Sequence, residues 1–356
     1  ASTLHPKLRG KTVHLPNLNP LFPNWSWAMN RNIARLEWLI DSMLETLASD
    51  PRKLRGLKGA DFARLIAMWY PPEIVTLTAY VLWIFVWDDE MEGGGEGVAE
   101  SESEARAYTE LSKTYVRATL ALDEDDSESA VADGKSDPGR APFPWLAVLE
   151  SFGKALRQTL DLPRRQRFFI ELCGYMDETL EEHLLRLHGT MPTVTEYLRI
   201  RIGSIGVAPQ MALTEYALGI RLPFTIMKCQ AMKSLWEQTT VINLILNDVY
   251  SAQKEAAQGS LLNLVPVTFN DLANHDIATV SATLLDSLKD AIAKFDEAVV
   301  DLLQGAQSVP SAYEDTEKFV EWCRVFTTAI LVGSLTSKRY GMMECMQLDE
   351  SHQVLF

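Results

Sequence analysis

The sequence has few cysteines and histidines, four and six respectively among 356 residues. No two cysteines form a C-x-x-C pair, and no histidine completes the ligand spacing of a zinc finger. These absences argue against a fold built around disulfides or structural zinc. We therefore expect the cysteines to be reduced and mostly buried, as in a cytoplasmic protein.

Positive charge is also scarce, with 33 Lys and Arg residues against 48 Asp and Glu residues and a formal net charge of −15. This balance argues against nucleic acid or an anionic membrane as a general partner. The longest apolar stretch, 74–87, is too short to span a bilayer, and no N-terminal stretch has the organisation of a signal peptide. We therefore expect no nucleic acid partner and no stable membrane insertion. An acidic protein can still bind a polyanion where metal ions supply the positive charge.

Signatures of several other enzyme classes and folds are missing. We find no Gly-rich phosphate loop, no nucleophile elbow, no internal repeat and no strand alternation longer than a few residues. Hydrophobic residues make up 47% of the chain, enough for a sizeable core. Helical periodicity from residue 25 onward predicts an all-α chain, with helices at 30–47, 58–69, 73–92, 98–122, 144–161, 164–188, 193–204, 207–218, 224–258, 269–305 and 312–340.

The pattern predicts one domain over 1–356, because only one linker-like stretch interrupts the helices. Residues 1–24 contain four prolines, which predicts an irregular N-terminal strap. Residues 123–142 are acidic and then rich in Ser, Gly, Asp and Pro, which predicts a mobile loop insertion. The oligomeric state, monomer or homodimer, is left open.

An acid cluster at 88–92 directly follows the apolar stretch 81–87. Asp88 and Glu92 are four residues apart and share a helical face, with Asp89 beside them. Carboxylates near a helix C-terminus oppose the helix dipole, so a partly buried cluster needs cations to compensate. The ordinary interpretation is a solvated helix end, but the apolar segment before it places the acids at the rim of a core.

A second row of oxygen donors lies on the predicted helix 224–258. Asn247, Ser251 and Glu255 are spaced i, i+4 and i+8, so they lie along one face over about three turns. An amide carbonyl, a hydroxyl and a carboxylate are hard ligands that suit a Mg²⁺-type ion. The apolar run 241–246 directly before the row indicates that this helix is buried.

Together the two motifs read D-D-x-x-D/E and N-D-x-x-S-x-x-x-E, and on an all-α chain they resemble the metal-binding motifs of the class I terpene synthases. The likeness is to microbial, fungal-type sesquiterpene cyclases in particular. That family places a diphosphate-sensing arginine 46 positions before the Asn of the second motif, where this chain has Arg201. The family's helix break follows three and four positions later, at Ser204 and Ile205, and Gly203 and Gly206 would permit the helix to unwind.

The resemblance implies a single-domain class I terpenoid synthase bundle of α-helices around a central apolar cavity. It implies Mg²⁺ as the cofactor, with three ions, and as metal ligands Asp88, Glu92, Asn247, Ser251 and Glu255. The final acid of the first motif is Glu92 rather than Asp, which leaves open whether it binds metal directly. The diphosphate would be bound by Arg201, Lys254 and the family's Arg-Tyr pair, here Arg339 and Tyr340. The catalytic set would then comprise Asp88, Arg201, Asn247, Arg339 and Tyr340.

The resemblance also implies an apolar pocket that protects a carbocation from water. Its expected lining includes Phe85, Ser204, Ile205 and Trp322, with Phe168 and Tyr175 as further aromatic candidates for stabilising positive charge. Phe85 is the favoured aromatic, because it lies one turn before Asp88 on the same face.

The implied reaction is the Mg²⁺-dependent ionisation and cyclisation of a linear prenyl diphosphate. Farnesyl diphosphate is the expected substrate and a cyclic sesquiterpene hydrocarbon or alcohol the expected product, with geranyl and geranylgeranyl diphosphates open as alternatives. Two other classes remain: a chain-elongating prenyltransferase and an inactive helical scaffold that retains the motifs. A second acidic run, 177–182, could serve a prenyltransferase as a metal motif, but we expect it to be a solvated helix face.

Overall fold

The computed structural model describes residues 5–27, 29, 33–47, 51–59, 61–69, 75–92, 99–123, 139–273, 275–336 and 352–355. Within these residues the regular structure is helical except for two strands of four residues each. The predicted all-α class is thereby confirmed, whereas the assignment of a single domain stays a prediction.

The helices are α1 (His5–Leu8), α2 (Ile33–Leu47), α3 (Pro51–Gly59), α4 (Phe62–Trp69), α5 (Val75–Glu92), α6 (Glu102–Thr119), α7 (Leu149–Thr159), α8 (Leu162–Leu187), α9 (Val194–Ser204), α10 (Val207–Ala212), α11 (Thr214–Leu218), α12 (Phe224–Met227), α13 (Gln230–Ala257), α14 (Leu264–Asp271), α15 (Ile277–Gln307) and α16 (Pro310–Thr336). Short 3₁₀ turns lie at Asn19–Leu21 and Pro144–Leu146. The two strands are β1 (Thr12–Leu15) and β2 (His352–Leu355).

Local sequence signals explain where several helices begin. Ser101 before α6 and Thr193 before α9 accept hydrogen bonds from backbone N–H groups of the first turn, and the glutamate three residues on accepts one from the cap backbone. These are capping boxes, which satisfy N–H groups that a helix start leaves unpaired. Asp161 caps α8 with its side chain alone, which accepts from the Arg164 backbone, and a proline lies in the first turn.

Helix α5 is apolar around most of its circumference and is buried accordingly. Tyr80, Val81, Leu82 and Trp83 are all 0% exposed. A helix that is hydrophobic on every face is stable only inside a core. The core therefore fixes the position of the carboxylates that follow at the end of α5.

The longer helices pack against one another around the centre of the protein. Helix α13 packs against α15 and α16, α16 packs against α4, and α9 packs against α8. One described helix segment, Ala312–Thr336, is long and apolar enough to cross a membrane, but 72% of its most apolar window is buried inside the protein. Burial in the core is a sufficient explanation for its composition.

Several predicted helices are interrupted where the sequence pattern suggested continuity. The predicted helix 58–69 is divided between α3 and α4, with Asp61 in the left-handed region at φ 55°. The predicted helix 224–258 is divided at Cys229, whose thiol accepts a hydrogen bond from the Met232 backbone and caps α13. Apolar periodicity continues through these breaks because both pieces pack against the same helix, α3 and α4 against α2, and α12 and α13 against α15.

The expectation of an irregular strap over 1–24 is wrong in part. Strand β1 pairs with β2 in antiparallel register, from Thr12 opposite Leu355 to Leu15 opposite His352. Because the two strands come from opposite ends of the chain, no local pattern could indicate their pairing. Most of the predicted loop insertion, 124–138, lies outside the described residues.

The expectation that Gly203 permits unwinding is also wrong. Gly203 lies inside α9, and a Cβ at this position would stand 2.4 Å from Cγ and 2.8 Å from Cβ of Glu178 on α8. The glycine therefore allows two helices to approach closely. The helix break itself falls where it was predicted, with Ser204 as the last helical residue and Gly206 in the left-handed conformation at φ 73°.

We expect Gly203→Ala to lower the melting temperature, because the added methyl group would push α9 away from α8. The cost of such overpacking is about 1–3 kcal/mol of unfolding free energy. Gly174→Ala in α8 is the matched control, because nothing lies within 4 Å of its Cβ position. That change should be neutral or stabilise the helix by about 0.5–1 kcal/mol. Thermal unfolding followed by circular dichroism measures both; equal melting temperatures for the two variants would contradict the packing argument.

Candidate active site

A cavity of about 760 Å³ lies among α4, α5, α8, α13 and α16. Its walls contain two sets of side chains. One set is polar and charged and includes Asp88, Asp89, Arg201, Asn247, Ser251, Lys254 and Glu255. The other is apolar and includes Leu65, Met68, Trp69, Ile84, Phe85, Val207, Phe326 and Ile330. The predicted central cavity is therefore present, and its lining contains charged groups as well as apolar ones.

The predicted donor row on α13 faces this cavity. Asn247, Ser251 and Glu255 all line it, together with Lys254. Burial and the nearby charge of Asp248 raise the pKa of Glu255 to about 7. A neighbouring cation would favour the ionised form of a buried carboxyl group whose pKa is raised in this way.

Asn263 holds the donor row in place, and the motif analysis did not identify it. Its amide nitrogen donates to the Ser251 hydroxyl at 3.2 Å, to Glu255 Oε2 at 3.0 Å and to the Asp248 carbonyl at 2.7 Å. Its side-chain oxygen accepts from the Val265 backbone at 3.0 Å and caps α14. An Asn directly before an apolar helix is a recognisable N-cap signal, but its second role depends on tertiary contacts.

Asp248, the residue after Asn247, is completely buried and connects three elements. Its carboxylate accepts hydrogen bonds from the Tyr197 hydroxyl at 2.5 Å, from Arg201 Nε at 3.0 Å and from the Leu264 backbone at 2.9 Å. Burial and the charge of Asp248 together raise the pKa of Tyr197 well above its usual range. This carboxylate therefore joins α9 and α14 to α13 and does not line the cavity.

Arg201 is positioned by both residues of the Asn247-Asp248 pair. Besides its bond to Asp248, it donates from Nη2 to Asn247 Oδ1 at 2.9 Å. Burial is the largest single effect and opposes its charged form, but Asp248, Tyr197, Glu182 and Glu255 together outweigh burial and raise the pKa of the guanidinium well above its usual value. The predicted diphosphate sensor is thus a permanent cation at the edge of the predicted metal site.

A second acidic group, Glu182, supports Arg201 from α8. Glu182 accepts from the Ser204 hydroxyl at 2.6 Å and from Arg186 at 2.9 Å, and it lies 3.6 Å from Arg201 Nη1. Burial alone would raise the pKa of Glu182, but Arg201, Arg186 and the hydrogen bond from Ser204 together outweigh burial and lower it.

The acidic run 177–182 is therefore not uniformly a solvated face. Asp177 pairs with Lys113, and Glu181 pairs with Arg199, both on exposed surface. Glu182, in contrast, is only 7% exposed and lines the cavity. The run does not form a second metal motif, because its carboxylates point in different directions.

At the end of α5, Asp88 and Asp89 line the cavity and are half-buried. The Tyr175 hydroxyl donates to Asp88 Oδ1 at 3.3 Å, and the Tyr175 ring contacts Trp87 with a centroid separation of 5.7 Å. The side chain of Glu92 lies outside the described residues, as do Arg339 and Tyr340.

Three of the four predicted pocket residues line the cavity: Phe85, Ser204 and Ile205. The expectation for Trp322 is wrong. Its ring is buried against Phe326, with centroids 4.9 Å apart, and its indole N–H donates to the Trp69 carbonyl at 3.1 Å. Phe168 is likewise a core residue, packed against Phe152 and Tyr80.

Other cavity residues were not identified from the sequence. Trp69 and Phe326 contribute aromatic surface, with ring centroids 5.3 Å apart. Arg64 and Arg186 also line the cavity, so they add two cations to Arg201 and Lys254. No short motif distinguishes these side chains from ordinary core aromatics and surface arginines.

The donor set fits a hard divalent cation. No group of three or more His, Cys, Asp or Glu side chains suited to a metal forms within the described ranges, because the row on α13 contributes one amide, one hydroxyl and one carboxylate. Oxygen ligands of this kind, few in number, suit a Mg²⁺-type ion that keeps several waters. Asp88 and Asp89 add carboxylates from a different wall of the same cavity.

Comparison with known proteins agrees with this geometry. The family model for terpene synthase family 2, C-terminal metal binding, matches residues 79–294. More than half of the chain is matched, so the chain belongs to this family. Membership implies the use of a divalent metal ion.

Among curated proteins, the sesquiterpene cyclase hepA of Aspergillus oryzae is 28% identical over 344 residues, covering 95% of this chain and 92% of that protein. The terpene cyclase braA of Annulohypoxylon truncatum is 24% identical over 356 residues, covering 97% and 90%. The chain is thus a terpene cyclase, a lyase that acts on a prenyl diphosphate.

Solved structures show the same fold at low sequence identity. A linalool/nerolidol synthase from Streptomyces clavuligerus in complex with 2-fluorogeranyl diphosphate superposes with a TM-score of 0.70 at 16% identity, covering 89% of this chain and 98% of that chain. An a-eudesmol synthase superposes with a TM-score of 0.73 at 14% identity, covering 88% and 98%. The class I terpenoid synthase bundle predicted from the motifs is confirmed.

We expect Asn263→Asp to impair turnover of a prenyl diphosphate without unfolding the protein. The carboxylate still caps α14, but it replaces a donor to Ser251 and Glu255 by an acceptor beside a buried carboxyl group. A charge-assisted hydrogen bond is worth about 1.5–3 kcal/mol, so a loss of about tenfold or more is expected.

Asn263→Ser is the comparison variant, because a neutral hydroxyl keeps the cap but is too short to reach the row. Steady-state product formation and thermal unfolding are measured for both. Full activity in both variants would show that Asn263 does not organise the donor row.

Proposed function

We propose that the protein catalyses the Mg²⁺-dependent ionisation and cyclisation of farnesyl diphosphate, releasing diphosphate and a cyclic sesquiterpene hydrocarbon or alcohol. One observation carries this proposal. An oriented row of hard oxygen donors and the guanidinium of Arg201 share one cavity with an aromatic, apolar wall. Of the described side chains, the polar set suits a metal-bound polyanion, and the apolar set suits a hydrocarbon chain.

The metal-binding part of the proposal assigns ligands on two walls. Asn247, Ser251 and Glu255 would hold one Mg²⁺ ion, and Asp88, with Glu92, would hold the others in a site of three. When bound, the ions supply Lewis acidity to the diphosphate oxygens on which negative charge develops.

Positive charge from the protein would complete the binding of the leaving group. Arg201 and Lys254 line the cavity beside the donor row, and Arg339 and Tyr340 are proposed from the family motif. Cations that meet developing negative charge lower the barrier to breaking the allylic C–O bond, whose electron pair leaves with the diphosphate.

Substrate binding would also reorganise Arg201. Its Nη2 donates to the same Asn247 oxygen that is proposed as a metal ligand, at 2.9 Å. A cation on that oxygen would repel the neighbouring guanidinium, whereas a diphosphate would attract it. Arg201 would then turn from Asn247 toward the diphosphate once metal and substrate are both bound, so that ionisation would require a complete site.

The apolar wall would control the carbocation that remains. Phe85, Trp69 and Phe326 line the cavity, and an aromatic face that meets a cation stabilises it by about 0.5–2 kcal/mol. Exclusion of water keeps the cation from being captured before an alkene attacks it to close a ring. Proton loss or late capture of water then ends the reaction.

The substrate length is argued from the cavity and from the relatives. A volume of about 760 Å³ lies within the range of sites that enclose a ligand of moderate size. The relative from Aspergillus oryzae, which this chain matches over 95% of its length, is described as a sesquiterpene cyclase. The volume is compatible with a fifteen-carbon chain, and the description of this relative favours that length over shorter or longer ones.

Incubation with Mg²⁺ and each of geranyl, farnesyl and geranylgeranyl diphosphate, followed by gas chromatography and mass spectrometry, tests the proposal. We expect cyclic fifteen-carbon products from farnesyl diphosphate, abolished by chelation of the metal. Longer diphosphates formed only with added isopentenyl diphosphate would instead establish a prenyltransferase. No turnover of any of the three would indicate an inactive scaffold.

We expect Asn247→Ala to reduce turnover of farnesyl diphosphate by at least about a hundredfold, because it removes a metal ligand and the hydrogen-bond acceptor of Arg201. Arg339→Ala should have a comparable effect through the diphosphate. Glu237→Ala is the matched control, an exposed residue on the same helix outside the cavity. Helical content by circular dichroism should be unchanged in all three. Activity retained in both Asn247→Ala and Arg339→Ala would refute the assigned roles.

A further inference from the structure

The donor row on α13 continues one turn further in the N-terminal direction, to Asn243. This residue lies four positions before Asn247, about 6 Å along the helix axis on the same face. It lines the cavity and is only 1% exposed. None of the roles assigned above to the metal or diphosphate ligands includes it.

The amide of Asn243 has a fixed orientation. Its nitrogen donates to the Thr239 carbonyl at 2.7 Å and to the Thr327 hydroxyl at 3.0 Å. A backbone carbonyl can only accept, so the NH₂ group must lie on that side, and both of its hydrogens are used. The side-chain oxygen is buried and has no hydrogen-bond partner among the described residues.

The surroundings of Asn243 belong to the apolar wall rather than to the metal site. Its partner Thr327 lies on α16 next to Phe326, and Ile330 follows one turn later; both of these apolar residues line the cavity. The amide oxygen is therefore a fixed negative end of a dipole in a hydrocarbon environment. Such a dipole interacts strongly with a positive charge because little water screens it.

We propose that Asn243 is a specificity-determining residue whose amide oxygen stabilises positive charge at one position of the cyclising intermediate. This inference rests on the proposed cyclisation of farnesyl diphosphate. A bond between helices would explain the two N–H contacts but not a buried oxygen left without a partner, which costs free energy. A cation that forms transiently in the cavity would interact favourably with the negative end of this amide dipole.

The first test is the product distribution of Asn243→Leu, which has a similar volume and no dipole. With farnesyl diphosphate and Mg²⁺, we expect ionisation to persist, because the metal and diphosphate ligands are intact. The share of the native main product should fall by about tenfold, since one charge-assisted contact is lost. Products from earlier intermediates, separated by gas chromatography and mass spectrometry, should replace it.

Thr327→Val is the matched control for a structural role. It removes one acceptor of the Asn243 amide but leaves the Thr239 bond and the oxygen in place. We expect its product distribution to match that of the native protein. If Asn243→Leu lacks a thermal unfolding transition, Asn243→Ser replaces it, because a serine hydroxyl can bond to the carbonyl one turn back while the amide dipole is removed.

The second test does not depend on turnover. A tertiary ammonium analogue of a cyclised fifteen-carbon cation and its neutral carbon isostere are each titrated by calorimetry in the presence of Mg²⁺ and inorganic diphosphate. Asn243→Leu should weaken binding of the ammonium compound by about tenfold and leave the neutral isostere unchanged.

An unaltered product distribution in Asn243→Leu would overturn the inference, as would equal weakening of both analogues. The same shift in Thr327→Val would also overturn it, because the effect would then come from helix packing. Failure of the native protein to form any cyclic product from farnesyl diphosphate would be a different result. It would overturn the proposed substrate first, and the inference with it.

Discussion

The buried ion pair between Asp248 and Arg201 is the interaction on which the site depends. Asp248 accepts from Arg201 and Tyr197 on α9 and from the backbone that begins α14, so a single carboxylate fixes two elements, α9 and α14, against α13. A buried charge pair of this kind contributes little net stability, but removal of either partner leaves an uncompensated charge. Its use here is positional, because it places a permanent cation beside the oxygen of Asn247.

This pair also explains how an acidic protein can bind a polyanion. Among the described carboxylates in and behind the cavity wall, Asp248 and Glu182 pair with arginines, whereas Glu255 lines the cavity itself. The carboxylates paired with arginines keep the guanidinium groups in place, and a bound cation would stabilise the ionised form of a carboxylate that lines the cavity. The net charge of −15 therefore says little about this site, where the arrangement of the charges matters more than their sum.

The sequence predicted the parts of this site that depend on local spacing. A helix fixes the relation of Asn247, Ser251 and Glu255 whatever surrounds it, and the register to Arg201 came from the family motif. It could not predict Asn263, Glu182 or the pairing of the terminal strands, because these depend on contacts between segments far apart in the chain. Trp322 was misplaced for a related reason: periodicity shows that a face is buried, but not whether it meets a cavity or a packed core.

The two ends of the cavity-facing row on α13 meet different chemistry, and one helix connects them rigidly. Glu255 and Ser251 are oriented by the amide of Asn263, whereas Asn243 is oriented by α16, whose neighbouring side chains are apolar. In the proposed reaction, ionisation and the later fate of the cation would be governed by groups at a fixed separation, set by the helical rise. A change in packing between α13 and α16 would alter the second step without altering the first. Product identity can therefore change in this family while the metal motifs stay the same, and an unpartnered oxygen in the apolar wall is a place where such a change would act.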